Sequence, residues 1–127
     1  MDDLSQFKDL FFQSANVHIA AISKLLDNNV ENGSPNLDVL HLHFHTLKGE
    51  VLAMQYLQFG AFITALEKYV KSMKEANGAL SSKDMLLIIG AVKDIDEILG
   101  VIRSENLEPE GISDKTEMLI KNLGVSL

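Results

Sequence analysis

Three of the four histidines fall at positions 41, 43 and 45, in the stretch HLHFHTLKGE. A neutral imidazole attacks an electrophile through its unprotonated nitrogen, so its other nitrogen must carry the proton and donate it to a fixed acceptor. If the electrophile is a phosphoryl group, the product needs a nearby cation. Lys48, one turn beyond His45, supplies an ammonium that acts as a point charge. Gly49 stands at i+4 from His45 and removes the side chain beside the imidazole. A glycine inside a helix costs about 0.5–1 kcal/mol relative to alanine, and close approach by another protein is a reason to accept that cost.

These residues need a helix to hold them. Leu37, Leu40, Phe44, Leu47, Val51 and Met54 recur at spacings of 3, 4, 3, 4 and 3, the cleanest apolar seam in the chain. Because each helical residue turns by about 100°, His41, His45, Lys48 and Gly49 share a face beside that seam, while His43 points elsewhere. Ser34 is placed to cap this helix, with Pro35 in its first turn.

Three further seams accompany it. Leu4, Phe7, Phe11, His18, Ile22 and Leu25 predict a helix over residues 3–27, broken by DNNVENGSPN. Phe59, Phe62, Leu66, Tyr69 and Met73 predict another, closed by Asn77-Gly78, with Gly60 as a point of close helix packing. Ser81 followed by Asp84 resembles an acidic capping box, and Met85, Ile88, Val92, Ile95, Leu99 and Ile102 form the fourth seam. Short connections favour antiparallel neighbours. The expectation is therefore all-α: an up-and-down four-helix bundle over residues 3–104. After NLEPEG, Ser113 is placed to cap a short extra helix over 113–124, with Met118, Leu119 and Leu123 packing on the bundle, and residues 1–127 form one domain.

Composition narrows the function. With Lys+Arg 11 against Asp+Glu 18, the net charge is −7, which repels phosphate backbones and anionic lipid; neither nucleic acid nor membrane is expected as a partner. Cysteine is absent, which excludes disulfides, thiolate zinc sites and cysteine nucleophiles. MDDLSQFKDLFF has no positive stretch before an apolar run, and no window approaches eighteen apolar residues, so a soluble, cytoplasmic protein is expected. No phosphate-binding glycine loop is present, so no nucleotide cofactor is expected.

The stretch FHTLKG, together with Leu66-Glu67 on the next helix, resembles the histidine phosphotransfer (HPt) domain, whose motif is His, Ser or Thr, an aliphatic residue, Lys and Gly. The likeness runs from FFQSA to ALEKYV, and the fourth and fifth elements look most like the phosphoacceptor domain of CheA-type chemotaxis kinases. The resemblance implies phosphorylation of His45 on Nε2, with Glu67, 22 positions on, holding Nδ1 and Lys48 beside the phosphoryl group. It implies as partners a histidine kinase catalytic domain and a response-regulator receiver domain. The chain would be a substrate and relay in two-component signalling, not an enzyme. Gly49, His41 and Leu52 would border the docking surface, with Tyr56 and Leu57 beside them.

This sequence departs from the family after Gly49, where small residues and a second glycine are usual and EVLAMQ stands instead; Glu50, Leu52 and Gln55 make that surface bulkier and more acidic. A second histidine that many CheA-type domains carry three residues before the glutamate is Thr64 here. The bulk motivates an alternative, a degenerate module that binds receivers without carrying phosphate. Zinc held by His41 and His45 at i and i+4 is a third reading, but no HExxH glutamate or cysteine supports it, and no metal is expected.

Overall fold

The computed structural model describes residues 3–29 and 35–125, with side chains for 6–27 and 35–125. Five helices follow in order: α1 (Asp3–Asn29), α2 (Leu37–Ala53), α3 (Leu57–Glu75), α4 (Ser82–Glu105) and α5 (Ile112–Leu123).

Cross-helix contacts fix the directions. His18 of α1 meets both His43 and Glu50 of α2, and Phe11 meets Tyr56 just past its end, so α1 and α2 run antiparallel. On α3, Leu52 lies over Gly60 while Asp38 reaches Lys74 at 3.2 Å, which reverses the direction again. At the other flank Lys8 bonds Asn106 and the Arg103 guanidinium stacks on Phe12, pairing the start of α1 with the end of α4. The expected up-and-down bundle results, with α5 laid against α3 and α4.

The core is built from the seams. Leu40, Phe44, Leu47 and Val51 of α2 are fully buried, as are Phe59, Phe62 and Leu66 of α3 and Ile88 and Ile95 of α4. Each such side chain contributes roughly 1.5–3 kcal/mol relative to exposure. On α1 the buried line is Phe11, Ala15, Ile19, Ile22 and Leu26. Of the predicted stripe, Phe11 and Ile22 lie on this line and Phe7, His18 and Leu25 do not. Phe7 is 63% exposed, His18 and Leu25 sit on the flank, and the side chain of Leu4 is outside the described residues. Small Ala15 is a core residue because α1 must approach both α2 and α4, a role that a search for large apolar residues passes over.

Three helix ends differ from expectation. The cap of α2 is Asn36, whose side chain accepts from Val39 N–H at 3.2 Å; Pro35 precedes it and Ser34 is outside the described residues. Asparagine's short side-chain carbonyl reaches the free N–H groups of a first turn as well as serine does. At α4, Ser81 does cap, accepting from Asp84 N–H at 3.0 Å, but the Asp84 carboxylate takes the hydroxyl proton of Tyr69 instead of closing a box. Burial first, then this bond, pushes the Tyr69 phenol up. At α5, Gly111 with φ 88° begins the helix and Ser113 lies inside it; Leu119 and Leu123 pack inward as expected, whereas Met118 is 60% exposed.

The α2–α3 turn has a backbone feature near the future site. Gln55 adopts φ 66°, and its N–H bonds the Leu52 carbonyl at 2.9 Å while Tyr56 N–H reaches Val51. A left-handed residue at this point ends α2 and reverses the chain within three residues. Glutamine pays a steric penalty in this left-handed conformation. The first turn of α3 has no side-chain cap at Tyr56; the carboxylate of Glu108, from the α4–α5 loop, accepts from Phe59 N–H at 2.7 Å.

Candidate functional site

The α2 seam turns Leu40, Phe44 and Leu47 inward, which leaves His45 at the rim facing outward, its side chain 61% exposed. On α3 the seam carries Leu66 and Tyr69 into the core, and Glu67, next to Leu66, faces α2 with only 8% of its side chain exposed. The antiparallel pairing brings the two together: His45 Nδ1 lies 2.9 Å from Glu67 Oε2. The second carboxylate oxygen, Oε1, accepts from Lys48 Nζ at 2.5 Å. Lys48 is itself largely buried, 23% exposed.

The chemistry follows from these partners. Burial alone would raise Glu67, but the Lys48 and His45 hydrogen bonds and their positive charges outweigh it and hold the carboxyl below its usual range. An ionised carboxylate can only accept, so Nδ1 of His45 carries the proton. In the neutral imidazole the lone pair then sits on Nε2, at the opposite, solvent-facing edge of the ring. The arrangement is an exposed imidazole whose tautomer and orientation are set by a buried acceptor, as a nucleophilic histidine requires.

Of the six residues singled out from the sequence, His45, Glu67 and Lys48 form one hydrogen-bonded group. His41 lies one turn before His45, its ring 6.1 Å away centre to centre and inclined by 28°. Gly49 is exposed, and a β-carbon placed there would meet nothing within 4 Å, so no packing within the chain demands glycine. Gly60 does have an internal reason. Leu52 folds its side chain onto it, within 2.2 Å of where a β-carbon would stand. Thr64 donates to the Gly60 carbonyl at 2.7 Å on its own helix, not to the histidine.

Two features escaped the sequence reading. Lys48 pairs with Glu67 and is not a free ammonium beside the ring; its spacing from His45 places it on the right face but says nothing of a partner on α3. The second is a group between α1 and α2, in which His18 Nδ1 lies 2.9 Å from His43 Nδ1 and His18 Nε2 lies 3.6 Å from Glu50 Oε1, a buried oxygen without a hydrogen bond. Glu50 is thereby turned away from His45. Burial, then the neighbouring His18, lowers His43. The polar signal was visible at His18 on the helix-one stripe, but its partners come from another helix.

Among the described residues no group of three or more His, Asp or Glu is disposed to hold a metal, and no helix is long and apolar enough to cross a membrane.

No family model and no curated protein matches the sequence. Among solved structures, the phosphorylated P1 domain of CheA3 from R. sphaeroides, determined in complex with CheY6, superposes with a TM-score of 0.81 at 15% identity, covering 94% of this chain and 93% of that one. The chain has the helical fold of that P1 domain.

Proposed function

We propose that this chain is a phosphoryl carrier of two-component signalling, with His45 as the phosphoacceptor. The observation that carries the reading is the exposed His45 ring held through Nδ1, at 2.9 Å, by a buried carboxylate. The lone pair of Nε2 attacks phosphorus, a P–N bond forms, and the donor's oxygen leaves with its electron pair, either ADP at a kinase's ATP site or the aspartate of a phosphorylated receiver. In the forward transfer the receiver's aspartate attacks phosphorus, the P–N bond breaks, and its electrons return to Nε2. The chain contributes the nucleophile and its orientation, while the partner contributes the metal ion and phosphate-binding groups. It is a substrate and relay, not a catalyst, and its place is the cytoplasm, where such kinases have their ATP sites.

The surface around His45 suits a receiver. On α2, Leu42 is 60% exposed and shares the outward face with His45 and Gly49. On the neighbouring α1, Phe7, Leu10 and Val17 are exposed too. His41 and Leu52 border it, and Leu57 is exposed at the end of the α2–α3 turn. Of the side chains that favoured a module without phosphate, Glu50 turns to His18, while Leu52 packs on Gly60 yet stays 38% exposed and Gln55 is exposed. CheY6, bound by the CheA3 P1 domain, supports a CheY-type receiver as the partner here.

Potassium phosphoramidate, a phosphoryl donor to imidazoles, tests the acceptor without a kinase. Intact mass is expected to rise by one phosphoryl group in the wild type and not in His45→Gln, and the phosphorylated form is expected to label CheY-type receivers in the presence of magnesium. Equal labelling of wild type and His45→Gln would contradict the proposal. Receiver binding that survives His45→Ala, with no phosphoryl uptake by the wild type, would favour the binding module instead.

A further inference from the structure

Positive side chains gather beside His45 in a chain whose net charge is −7. Lys48 stands one turn after it on α2, and Lys71 and Lys74 of α3 lie near enough to His41 to act on its charge. Each lysine is already engaged: Lys48 with Glu67, Lys74 with Asp38 at 3.2 Å, Lys71 with Glu75 at 4.0 Å. His41 is not. Among the described residues it has no ion pair or hydrogen bond, and its ring lies 6.1 Å from that of His45, nearly parallel to it.

We infer that His41 is a binding residue for the phosphoryl group on His45, donating a ring N–H to it once that group is in place. The inference rests on His45 being the phosphoacceptor. In the unmodified chain burial, then the charge of Lys74, lowers His41; His45 and Lys71 act the same way, and only Glu67 opposes them. Asp38 is committed to Lys74, and Lys48 to Glu67. Phosphorylation places a group of roughly −1.5 to −2 charge next to the ring. The sign of the field then reverses. His41 takes a proton from water onto a ring nitrogen, and that N–H donates to a phosphoryl oxygen; no other bond is made or broken. An anion within about 4–6 Å raises a cationic group's pKa by about one unit or more, so the midpoint of His41 should climb by about one pH unit on phosphorylation. The ring is then protonated over a wider pH range when there is a phosphoryl group to bind.

The test is a histidine side-chain titration by ¹H–¹⁵N NMR on the full chain, before and after treatment with phosphoramidate, with ³¹P NMR reporting the phosphohistidine. The expected result is an upward move of about one pH unit for His41, with His43 unmoved. In His41→Gln samples whose ³¹P spectrum shows phosphohistidine, the titration step that the ³¹P signal of the wild type shows near the His41 midpoint should be absent. An unmoved His41 in a sample whose ³¹P spectrum shows phosphate on His45 overturns this inference and leaves the carrier reading intact. No phosphohistidine in the wild type overturns both.

Discussion

Replacing Glu67 by glutamine removes one charge and almost no volume, so it isolates what the carboxylate does. Two donors converge on it, the Nδ1–H of His45 at 2.9 Å and the ammonium of Lys48 at 2.5 Å. An amide offers one accepting oxygen and one donating nitrogen, so either His45 or Lys48 must face an N–H. One charge-assisted bond is lost in a site where the acceptor is 8% exposed, and such a loss costs about 1.5–3 kcal/mol. The same interaction orients the imidazole. At about 1.36 kcal/mol per decade, its loss should slow phosphoryl uptake by about 10- to 150-fold. Urea unfolding at unchanged slope measures the first quantity, and the exponential uptake of phosphate from phosphoramidate the second. A Glu67→Gln protein within about 0.5 kcal/mol of wild type that is phosphorylated at the wild-type rate would refute the reasoning, since a surface substitution would behave that way.

Three further outcomes follow from the same contacts. Glu108→Ala removes the carboxylate that caps α3 from a distant loop, and unfolding by urea should show a loss of about 1–2 kcal/mol; an unchanged midpoint would mean that water replaces it without cost. Gln55→Gly relieves a left-handed residue and should raise the melting temperature, by the equivalent of about 0.5–1 kcal/mol; an unchanged or lower melting temperature would contradict this. His43, held below the usual imidazole value of 6.5 by burial and by His18, binds a proton more readily in the unfolded chain. Its contribution to stability is complete above that value and is lost as pH falls through the lower folded value, so urea midpoints measured through this window should fall less steeply in His43→Gln than in wild type.

The parts of this molecule that repeat were legible in its sequence, and the parts that depend on a neighbouring helix were not. The seams of α2, α3 and α4 could be read because each faces one continuous core, and His45 followed from its place beside Leu40, Phe44 and Leu47. On α1 the reading drifted toward Phe7, since that helix packs against two neighbours and uses Ala15 where a larger residue was sought. The caps at Asn36 and Gly111 were missed by two residues each, in loops where several side chains could serve. Glu67 was singled out only through its resemblance to a known register. Its bond to Lys48, the His18–His43–Glu50 group and the Glu108 cap join residues on different elements, and no local spacing encodes them.

The most direct measurement is the identity of the nitrogen that takes the phosphoryl group. In ¹⁵N-histidine-labelled protein treated with phosphoramidate, one phosphorus should couple to Nε2 of His45 while its Nδ1 stays protonated against Glu67. Phosphorus on Nδ1 of that ring, or on His41 with His45 left unmodified, would contradict the account.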